Sequence, residues 1–325
     1  MKLPRRNFLH LVACAAALAA VSRIAWAQAY PSRPVRVVVP APAGGGTDIV
    51  ARLIGQRLSE RLGQQFVIDN RPGGGGNIGT EAVVRAPADG YTLLMVAPAN
   101  AINTSLYEKL SFNFIRDIAP VAGIIVVPNV MLVHPSVPAK TVPEFIAYAK
   151  ANPGKINIAS GPIGGPTHVT AELFKMMTGT DMLLVSYRGV APAATDLLGG
   201  QVQVMFNSLP ASIEYIKAGT LRALAVTSAT RSETLPGIPT MGEFLPGFEA
   251  SQWYGVGAPK NTPPQIIDKL NKEINAGLAD PKLKARLADL GGTVLPGSPA
   301  DFGKHIAEET EKWGKAIRAA NIKVE

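Results

Sequence analysis

The sequence contains a single cysteine, Cys14, and this residue lies in a segment that we expect to be removed. The mature chain would then have no thiol, which excludes disulfides, a cysteine nucleophile and a metal site with cysteine ligands. Aromatic residues make up only 6% of the chain, and no block of five like charges occurs. Since a nucleic-acid-binding surface needs a basic stripe with aromatic platforms, we expect no nucleic-acid partner.

Several catalytic and nucleotide-binding motifs are also missing. No G-x-x-x-x-G-K-[ST] follows a predicted strand and no G-x-S-x-G occurs, which excludes a P-loop and a nucleophile elbow. His134, His168 and His305 do not stand at metal-ligand spacing, so we expect neither a metal nor another cofactor. His168 follows a glycine-rich loop and can shape a pocket, but no nucleophile or orienting partner is evident near it. His305, in a polar terminal helix, is interpreted as solvated.

The first 27 residues have the organisation of an export signal. Arg5 and Arg6 precede an apolar segment at 11–21, and Ala25–Trp26–Ala27 offers small residues at both recognition positions for cleavage. We therefore expect a periplasmic protein that is cleaved after Ala27. This cleavage would remove four basic residues and no acidic ones, lowering the formal charge from +8 by four.

The export route and a possible anchor stay open. Residues 5–9 resemble a twin-arginine signal, although Pro4 stands where Ser or Thr is usual, so both the Tat and the Sec route are compatible with the sequence. Residues 11–14 match a lipoprotein cleavage box, which would place a lipid anchor at Cys14. That alternative is less favoured because it would split the apolar segment in its middle.

Beyond residue 27, strand and helix patterns alternate with short turns between them, which is typical of parallel α/β sheets. The β-branched run Val35–Val39 predicts a buried strand, and a second series of strands and helices begins near residue 129. About the last 65 residues are mostly helical. We predict two α/β lobes, each a mixed, mostly parallel sheet flanked by helices, with lobe 1 at 28–128 and 251–325 and lobe 2 at 129–250.

Three glycines, Gly44 to Gly46, separate the first predicted strand from the first helix. Thr47 or Asp48 can cap that helix, so its free N–H groups and the positive end of its dipole would meet at the glycines. Loops of similar chemistry follow two other strands, at 97–104 and 160–168. Because ligands of open α/β sheets bind at the carboxyl ends of strands, the three loops predict a clamp for an anion, either phosphate or carboxylate.

The pattern Gly74-x-Gly76-x-x-Gly79 matches the dinucleotide-binding fingerprint and follows a predicted strand. That fingerprint expects an acidic residue about 20 residues further on, at the end of the next strand. This chain has Val96–Ala97–Pro98–Ala99–Asn100 there, and Asp89 precedes the strand. We therefore interpret these glycines as a tight turn into a helix.

Several segments along the mature chain are informative through their order and spacing. They are AGGGTDIVAR at 43–52, GGNIG at 75–79, PADGYTLL at 87–94, THVTAELF at 167–174, DLLGGQV at 196–202, RALAVTS at 222–228 and LPGIPT at 235–240. Taken together they resemble the Bug family, the periplasmic solute receptors of tripartite tricarboxylate transporters. The resemblance covers the whole mature chain.

The resemblance implies a Venus-flytrap, type II-like periplasmic binding protein that closes on a small carboxylate and passes it to membrane permease subunits. We accordingly expect a monomeric receptor without a cofactor, and not an enzyme. Backbone N–H groups and waters at the first glycine loop would hold the carboxylate, with Asp48 capping the helix and ordering water. Carried over to this sequence, the ligand-binding positions are Gly45, Gly46, Thr47, Asp48, Ala97, Asn100 and Ala101 in lobe 1, and Ser160, Gly161, Gly164, Thr167, His168 and Asp196 in lobe 2.

Three departures from the family pattern bear on the ligand. Ala41 stands where an aromatic residue is common, which would widen the pocket. Asn207 replaces a frequent Asp, and Arg188 stands where Lys is usual. If Asn207 and Arg188 face the cleft, they favour a dicarboxylate or an aromatic carboxylate over an amino acid, whose ammonium would need an acid nearby. Two other functions stay open, a ligand-sensing adaptor for a signalling partner and a periplasmic α/β enzyme acting on a carboxylate.

Overall fold

The computed structural model describes residues 30–319 and Ile322, so the predicted export segment and Cys14 lie outside the described residues. Two sheets organise the described chain. The first contains β1 (Val35–Val39), β2 (Phe66–Asn70), β3 (Thr92–Val96), β4 (Ile118–Val127), β10 (Gln252–Pro259) and β11 (Thr293–Val294). The second contains β5 (Asn129–Val133), β6 (Asn157–Ser160), β7 (Leu183–Ser186), β8 (Val204–Ser208) and β9 (Arg222–Val226).

The helices surround these sheets. Those beside the first sheet are α1 (Gly46–Leu62), α2 (Asn77–Val84), α3 (Pro98–Leu106), α4 (Phe114–Asp117), α9 (Pro264–Leu278), α10 (Pro281–Asp289) and α11 (Pro299–Ala319). The helices that connect the strands of the second sheet are α5 (Val142–Ala151), α6 (Pro166–Thr178), α7 (Val190–Leu198) and α8 (Ile213–Lys217). Each sheet with its helices forms one lobe. No helix in residues 30–319 combines the length and the apolar character needed to cross a membrane.

The first sheet has the strand order β11-β4-β10-β3-β1-β2. β1 pairs in parallel with β2 and β3, while β10 runs antiparallel between β3 and β4. Val37 and Val39 pack into one apolar cluster and Val38 into another on the opposite face. A strand buried on both faces explains why β1 is apolar at every one of these positions rather than alternating.

The second sheet has the strand order β7-β6-β8-β5-β9. β6 pairs in parallel with β7 and β8, whereas β5 is antiparallel to both β8 and β9. Both sheets are therefore mixed, as predicted. They are also mostly parallel, as predicted: β1 to β4 point one way in the first sheet with β10 and β11 against them, and in the second sheet β5 alone runs against the other four strands.

α11 joins the two lobes through apolar contacts. Trp313 and Ile317 of this helix belong to the same buried cluster as Ile102 of α3 and Phe174 of α6. Near its start, His305 is half-buried, with its ring centroid 5.0 Å from that of Trp253. The expectation that His305 is solvated is therefore wrong, because this face of the helix packs on β10.

Candidate functional site

A cavity of about 490 Å³ lies where loops of both lobes meet. The loops that contribute follow β1, β2 and β3 in the first sheet and β6 and β7 in the second, and the strand β10, the end of β8 and the start of β5 complete the wall. The lining residues are Pro40, Ala41, Pro42, Gly46, Thr47, Pro72 to Gly76, Ala97, Ala99, Asn100, Asn129, Pro162, Ile163, Gly165, Pro166, Thr167, Arg188, Val190, Asn207, Ser208, Gln252 and Tyr254.

Helix N-termini surround this cavity. The N-cap residues of α1, α2, α6 and α7 are Gly45, Gly76, Gly165 and Gly189, and none of these helices has a side-chain cap. The first N–H groups of α1, α6 and α7 have no partner within their helix and no cap side chain takes them up, whereas in α2 those of Asn77 and Ile78 donate to Gly74 O and Gly73 O. Since each of these helices begins at or beside a lining residue, N–H donors and positive dipole ends collect around one space.

The predicted caps of α1 are wrong. Its N-cap is Gly45, and Thr47 and Asp48 lie inside the first turn. Asp48 is 2% exposed; its Oδ2 accepts hydrogen bonds from Gly44 N and Arg52 Nε, and its Oδ1 accepts one from Asn70 Nδ2. Burial raises the pKa of Asp48, but the hydrogen bonds from Arg52, Gly44 and Asn70 outweigh it and place that pKa below its ordinary value. This carboxylate is thus fully engaged in holding the first glycine loop.

The glycine-rich loop after β2 is a second wall of the cavity. Gly73, Gly74, Gly75 and Gly76 have φ between +56° and +118°, which side-chain-bearing residues rarely adopt. A Cβ on Gly75 would also lie 2.8 Å from Tyr107 Oη. The turn predicted there is present, but its contribution to the cavity was missed. The available signal was its position after β2, which ends at the same sheet edge as β1.

β10 contributes two side chains that the sequence did not indicate, Gln252 and Tyr254. Both are buried, and a Cβ on Gly46 would lie 2.7 Å from Tyr254 Oη. The phenol therefore lies directly against the first residue of α1. Burial raises the pKa of Tyr254 to about 12, so the hydroxyl is neutral at neutral pH and can donate a hydrogen bond.

The wall from lobe 2 carries the charge of the cavity. Arg188 and Asn207 both line it, and no Asp or Glu stands among its lining residues in the described chain. Asn207 is 2% exposed and its Oδ1 accepts a hydrogen bond from Ser208 N. Ile163 and Val190, at the rim, are exposed apolar side chains.

The structure brings half of the predicted ligand-binding residues together in the cavity lining. These are Ala41, Gly46, Thr47, Ala97, Asn100, Thr167, Arg188 and Asn207. Asn100 is tied into the wall, because its Oδ1 accepts from Ala97 N and its Nδ2 donates to Thr80 Oγ1. The other predicted residues, Gly45, Asp48, Ala101, Ser160, Gly161, Gly164, His168 and Asp196, lie outside the lining.

Several of these outer residues support the lining loops. Ser160 Oγ donates to Gly161 O, and Gly161 N donates to Thr167 Oγ1, which orients that lining side chain. Asp196 accepts a hydrogen bond from Tyr187 Oη, and burial together with this bond raises the pKa of Tyr187 to about 12. These residues thus contact the loops that line the cavity, and their predicted contact with the ligand stays a prediction.

His168 is buried beside the lining residue Thr167 but is turned away from the cavity. Its Nδ1 forms no hydrogen bond to the described residues, and burial lowers the pKa of its imidazole. Ala101 is fully buried in the apolar cluster behind β3. Within the described chain, no three His, Cys, Asp or Glu side chains gather as a metal site.

Comparisons with known proteins agree with this geometry. Residues 50–322 match the family model described as "Tripartite tricarboxylate transporter family receptor", or TctC. The chain belongs to this receptor family. The TctC assignment agrees with protein BugT of Bordetella pertussis, to which the chain is 38% identical over 301 residues, 92% of each chain.

Solved structures agree with the TctC assignment as well. Rpa4515 of R. palustris, solved with adipate, has a TM-score of 0.84 and 40% identity, covering 90% of this chain and 99% of that one. The periplasmic binding protein BugD has a TM-score of 0.82 and 36% identity, covering 91% of this chain and 100% of that one. The family resemblance and the two-lobed periplasmic-binding-protein fold predicted from the sequence are confirmed.

Proposed function

We propose that this TctC-family receptor works in the periplasm, where it captures a small organic carboxylate in the cavity between its lobes and delivers it to the permease subunits of a tripartite transporter. The observation that carries the proposal is the set of three helix N-termini, those of α1, α6 and α7, with glycine N-caps around one cavity without an acidic lining residue. Uncapped N–H groups and aligned dipoles favour an anion there without any buried countercharge.

One carboxylate of the ligand binds at the start of α1. Gly46 and Thr47 offer backbone N–H groups, the Thr47 hydroxyl lies beside them, and Tyr254 Oη lies against Gly46. Ala97 and Asn100 form the adjoining wall at the start of α3. Rpa4515, whose structure was solved with adipate, is 40% identical to this chain, which supports a carboxylate as the anion.

The body of the ligand is apolar. The cavity also presents Ala41, Pro72, Ile163 and Val190, whose side chains offer no hydrogen bond. Aliphatic chains and aromatic rings fit such walls, because they gain from leaving water without losing hydrogen bonds. We thus favour a dicarboxylate or an aromatic carboxylate.

Closure of the two lobes accompanies binding. The proposed lobes are 28–128 with 251–325, and 129–250, so the chain crosses between them at residue 128 and again near 250. A ligand that touches both walls shifts the population from open to closed molecules. The closed form is the one that we expect the permease to recognise, with the receptor acting as a monomer.

A receptor fits the cavity better than an enzyme. The lining residues of the described chain include no His, Asp, Glu, Lys or Cys, the side chains that most often act as general base or nucleophile. Arg188 is the ionisable lining side chain besides the buried phenol of Tyr254, and a guanidinium donates hydrogen bonds but accepts none. We therefore expect capture and release of the carboxylate without turnover.

A thermal-shift screen tests this proposal. Protein that has been unfolded and refolded to remove co-purified ligand is melted with aliphatic dicarboxylates, aromatic carboxylates and acidic amino acids. A ligand at about 100 times its dissociation constant should raise the unfolding free energy by about 2.7 kcal/mol. Stabilisation by at least one carboxylate, with the ligand recovered unchanged, is the expected result; no stabilisation by any of them, or chemical conversion of the ligand, contradicts the proposal.

A further inference from the structure

The wall from lobe 2 points to the charge pattern of the ligand. We propose that the cavity selects dicarboxylates without an ammonium group, and that Asn207 and Arg188 determine this selection by binding the second carboxylate. The inference rests on the proposed carboxylate-receptor function and names the substrate class within it. It is carried by the orientation of one buried amide and by one cation without a protein partner.

The Asn207 side chain is held in a single orientation. It lies near the end of β8, is 2% exposed, and its Oδ1 accepts a hydrogen bond of 2.9 Å from Ser208 N. Since the backbone N–H can only donate, the oxygen must face it, and Nδ2 is left as the other end of the amide. Nδ2 forms no hydrogen bond with the described residues although Asn207 lines the cavity. Nδ2 is not closed off from the cavity space, so it offers a donor there to an acceptor on the ligand.

An aspartate at position 207 would favour a ligand ammonium over a ligand carboxylate. One carboxylate oxygen would still accept from Ser208 N, but the other would present a negative charge where Asn207 presents a donor. A ligand carboxylate would then be repelled and an ammonium attracted. The choice between an amide and a carboxylate at position 207 thus decides whether this wall binds a carboxylate or an ammonium group of the ligand.

Arg188 adds a positive charge to the same wall. It immediately precedes Gly189, the N-cap of α7, and its side chain is exposed at the cavity. Nine arginines of the described chain lie within 4.0 Å of a carboxylate oxygen of the protein, while Arg222, Arg286 and Arg318 do not and lie outside the cavity lining. Arg188 has no such partner among the described residues, so its guanidinium is available for a bidentate bond to a ligand carboxylate.

The same wall offers little to an ammonium group. Asn129 is the neighbouring amide, and its Nδ2 donates to Ala250 O, which leaves Oδ1 as an acceptor without a hydrogen-bond partner in the described chain. That oxygen, however, is out of contact with solvent, so a ligand in the cavity as it stands does not reach it. With Arg188 as the charged residue of the lining and no lining carboxylate, an ammonium would lose its hydration and meet a like charge.

A matched set of six-carbon ligands isolates the effect of charge. Adipate has two carboxylates, hexanoate has one, and 2-aminoadipate has two carboxylates and an ammonium. Calorimetric titration of refolded wild-type protein should give adipate an affinity at least about tenfold higher than either of the others, since one charge-assisted hydrogen bond contributes about this much. Shorter and longer members of the same three series are included, so that a mismatch in length is not mistaken for a mismatch in charge.

Three variants test whether Asn207 and Arg188 determine the preference for dicarboxylates. Asn207→Asp should weaken adipate binding about tenfold or more and remove the preference over 2-aminoadipate. Arg188→Gln should weaken adipate binding about tenfold and leave hexanoate binding within about twofold. Lys155→Gln removes an exposed lobe-2 cation that lies outside the cavity lining and should change none of these affinities. Circular dichroism and melting curves establish that each variant is folded.

The outcomes separate this inference from the function on which it rests. Equal binding of the mono- and dicarboxylates, or equal losses in Arg188→Gln and Lys155→Gln, overturns the inference and leaves a carboxylate receptor. Tighter binding of the amino acids by the wild-type protein does the same. If no carboxylate of any series binds, both the inference and the proposed function are wrong.

Discussion

Gly45 and Gly46 are indistinguishable in the sequence, yet their surroundings differ sharply. A Cβ on Gly46 would lie 2.7 Å from Tyr254 Oη, whereas a Cβ on Gly45 would meet nothing nearer than Pro42 O at 3.7 Å. The requirement for glycine at 46 therefore comes from a strand more than two hundred residues later in the chain. At Gly46 the start of α1 and the Tyr254 side chain of β10 are in close contact.

This difference gives a matched pair of variants. Gly46→Ala should displace the Tyr254 hydroxyl from the carboxylate site and weaken carboxylate binding about tenfold, while Gly45→Ala should stay within about threefold of wild type. Calorimetric titration measures both. Adding Tyr254→Phe to Gly46→Ala removes the clash, because the ring carbon Cζ would lie at an ordinary 3.5 Å. The double variant should bind no worse than Tyr254→Phe alone; wild-type affinity in Gly46→Ala would contradict this account.

Asp48 makes the stability of the first loop dependent on pH. Its pKa lies below the ordinary value in the folded protein, so its stabilising effect is present above about pH 4 and is lost as the pH falls through the lower folded pKa. Asp48→Asn should reduce the unfolding free energy at pH 7 by about 1–3 kcal/mol, since Gly44 N or Arg52 loses a charged acceptor.

Thermal melts of wild type and Asp48→Asn at several pH values check that prediction. The difference between the two melting temperatures should be largest near neutral pH and should shrink as the pH falls below about 4, where the wild-type carboxyl also takes up a proton. A difference that is the same at pH 7 and pH 3 would show that the charge of Asp48 does not stabilise the loop.

At the scale of elements, β10 shows where sequence patterns fall short. Val35–Val39 is β-branched at every position except Arg36 and its strand was predicted correctly, but Gln252–Pro259 contains two glycines and a proline and was not predicted as a strand. A Cβ on Gly255 would lie 2.1 Å from Phe302 Cζ and 2.6 Å from Ala122 O. The glycines of this strand allow close packing against α11 and β4, although glycine and proline have a low propensity for β-strands.

Glu309 ties α11 to β10. This carboxylate is 8% exposed, and its Oε2 accepts hydrogen bonds from Trp253 Nε1 at 2.9 Å and Trp313 Nε1 at 3.0 Å. Glu309→Ala should lower the unfolding free energy by about 2–4 kcal/mol, because it leaves two buried indole donors unpaired. Glu309→Gln keeps an acceptor and should cost less than half as much. Urea unfolding measures both, and equal losses in the two variants would contradict the proposed link.

For the molecule as a whole, the family resemblance and the alternation of strands and helices predicted the two lobes, while the site was only partly predicted. Thr167 lines the cavity and His168 does not, because successive residues of a helix point about 100° apart and a linear motif does not reveal which one faces inward. Tyr254 and Gln252 could not be found from the sequence, since they reach the site through the antiparallel return of β10.

The width of the cavity depends on Ala41, which lines it beside the first loop. Ala41→Phe places a ring into a space of about 490 Å³ and should weaken the binding of aromatic carboxylates about tenfold while sparing short aliphatic dicarboxylates. Thermal shifts with phthalate and with succinate compare the two classes. Parallel losses for both ligands would indicate that the ring disturbs the first loop instead of narrowing the cavity.

The most direct test of the central claim is a crystal structure of the refolded protein soaked or co-crystallised with adipate. This account predicts one carboxylate within hydrogen-bond distance of the backbone N–H groups at the start of α1, and the other between Arg188 and Asn207 of lobe 2. Adipate bound elsewhere, or bound in the cavity with either carboxylate directed into solvent, would contradict it.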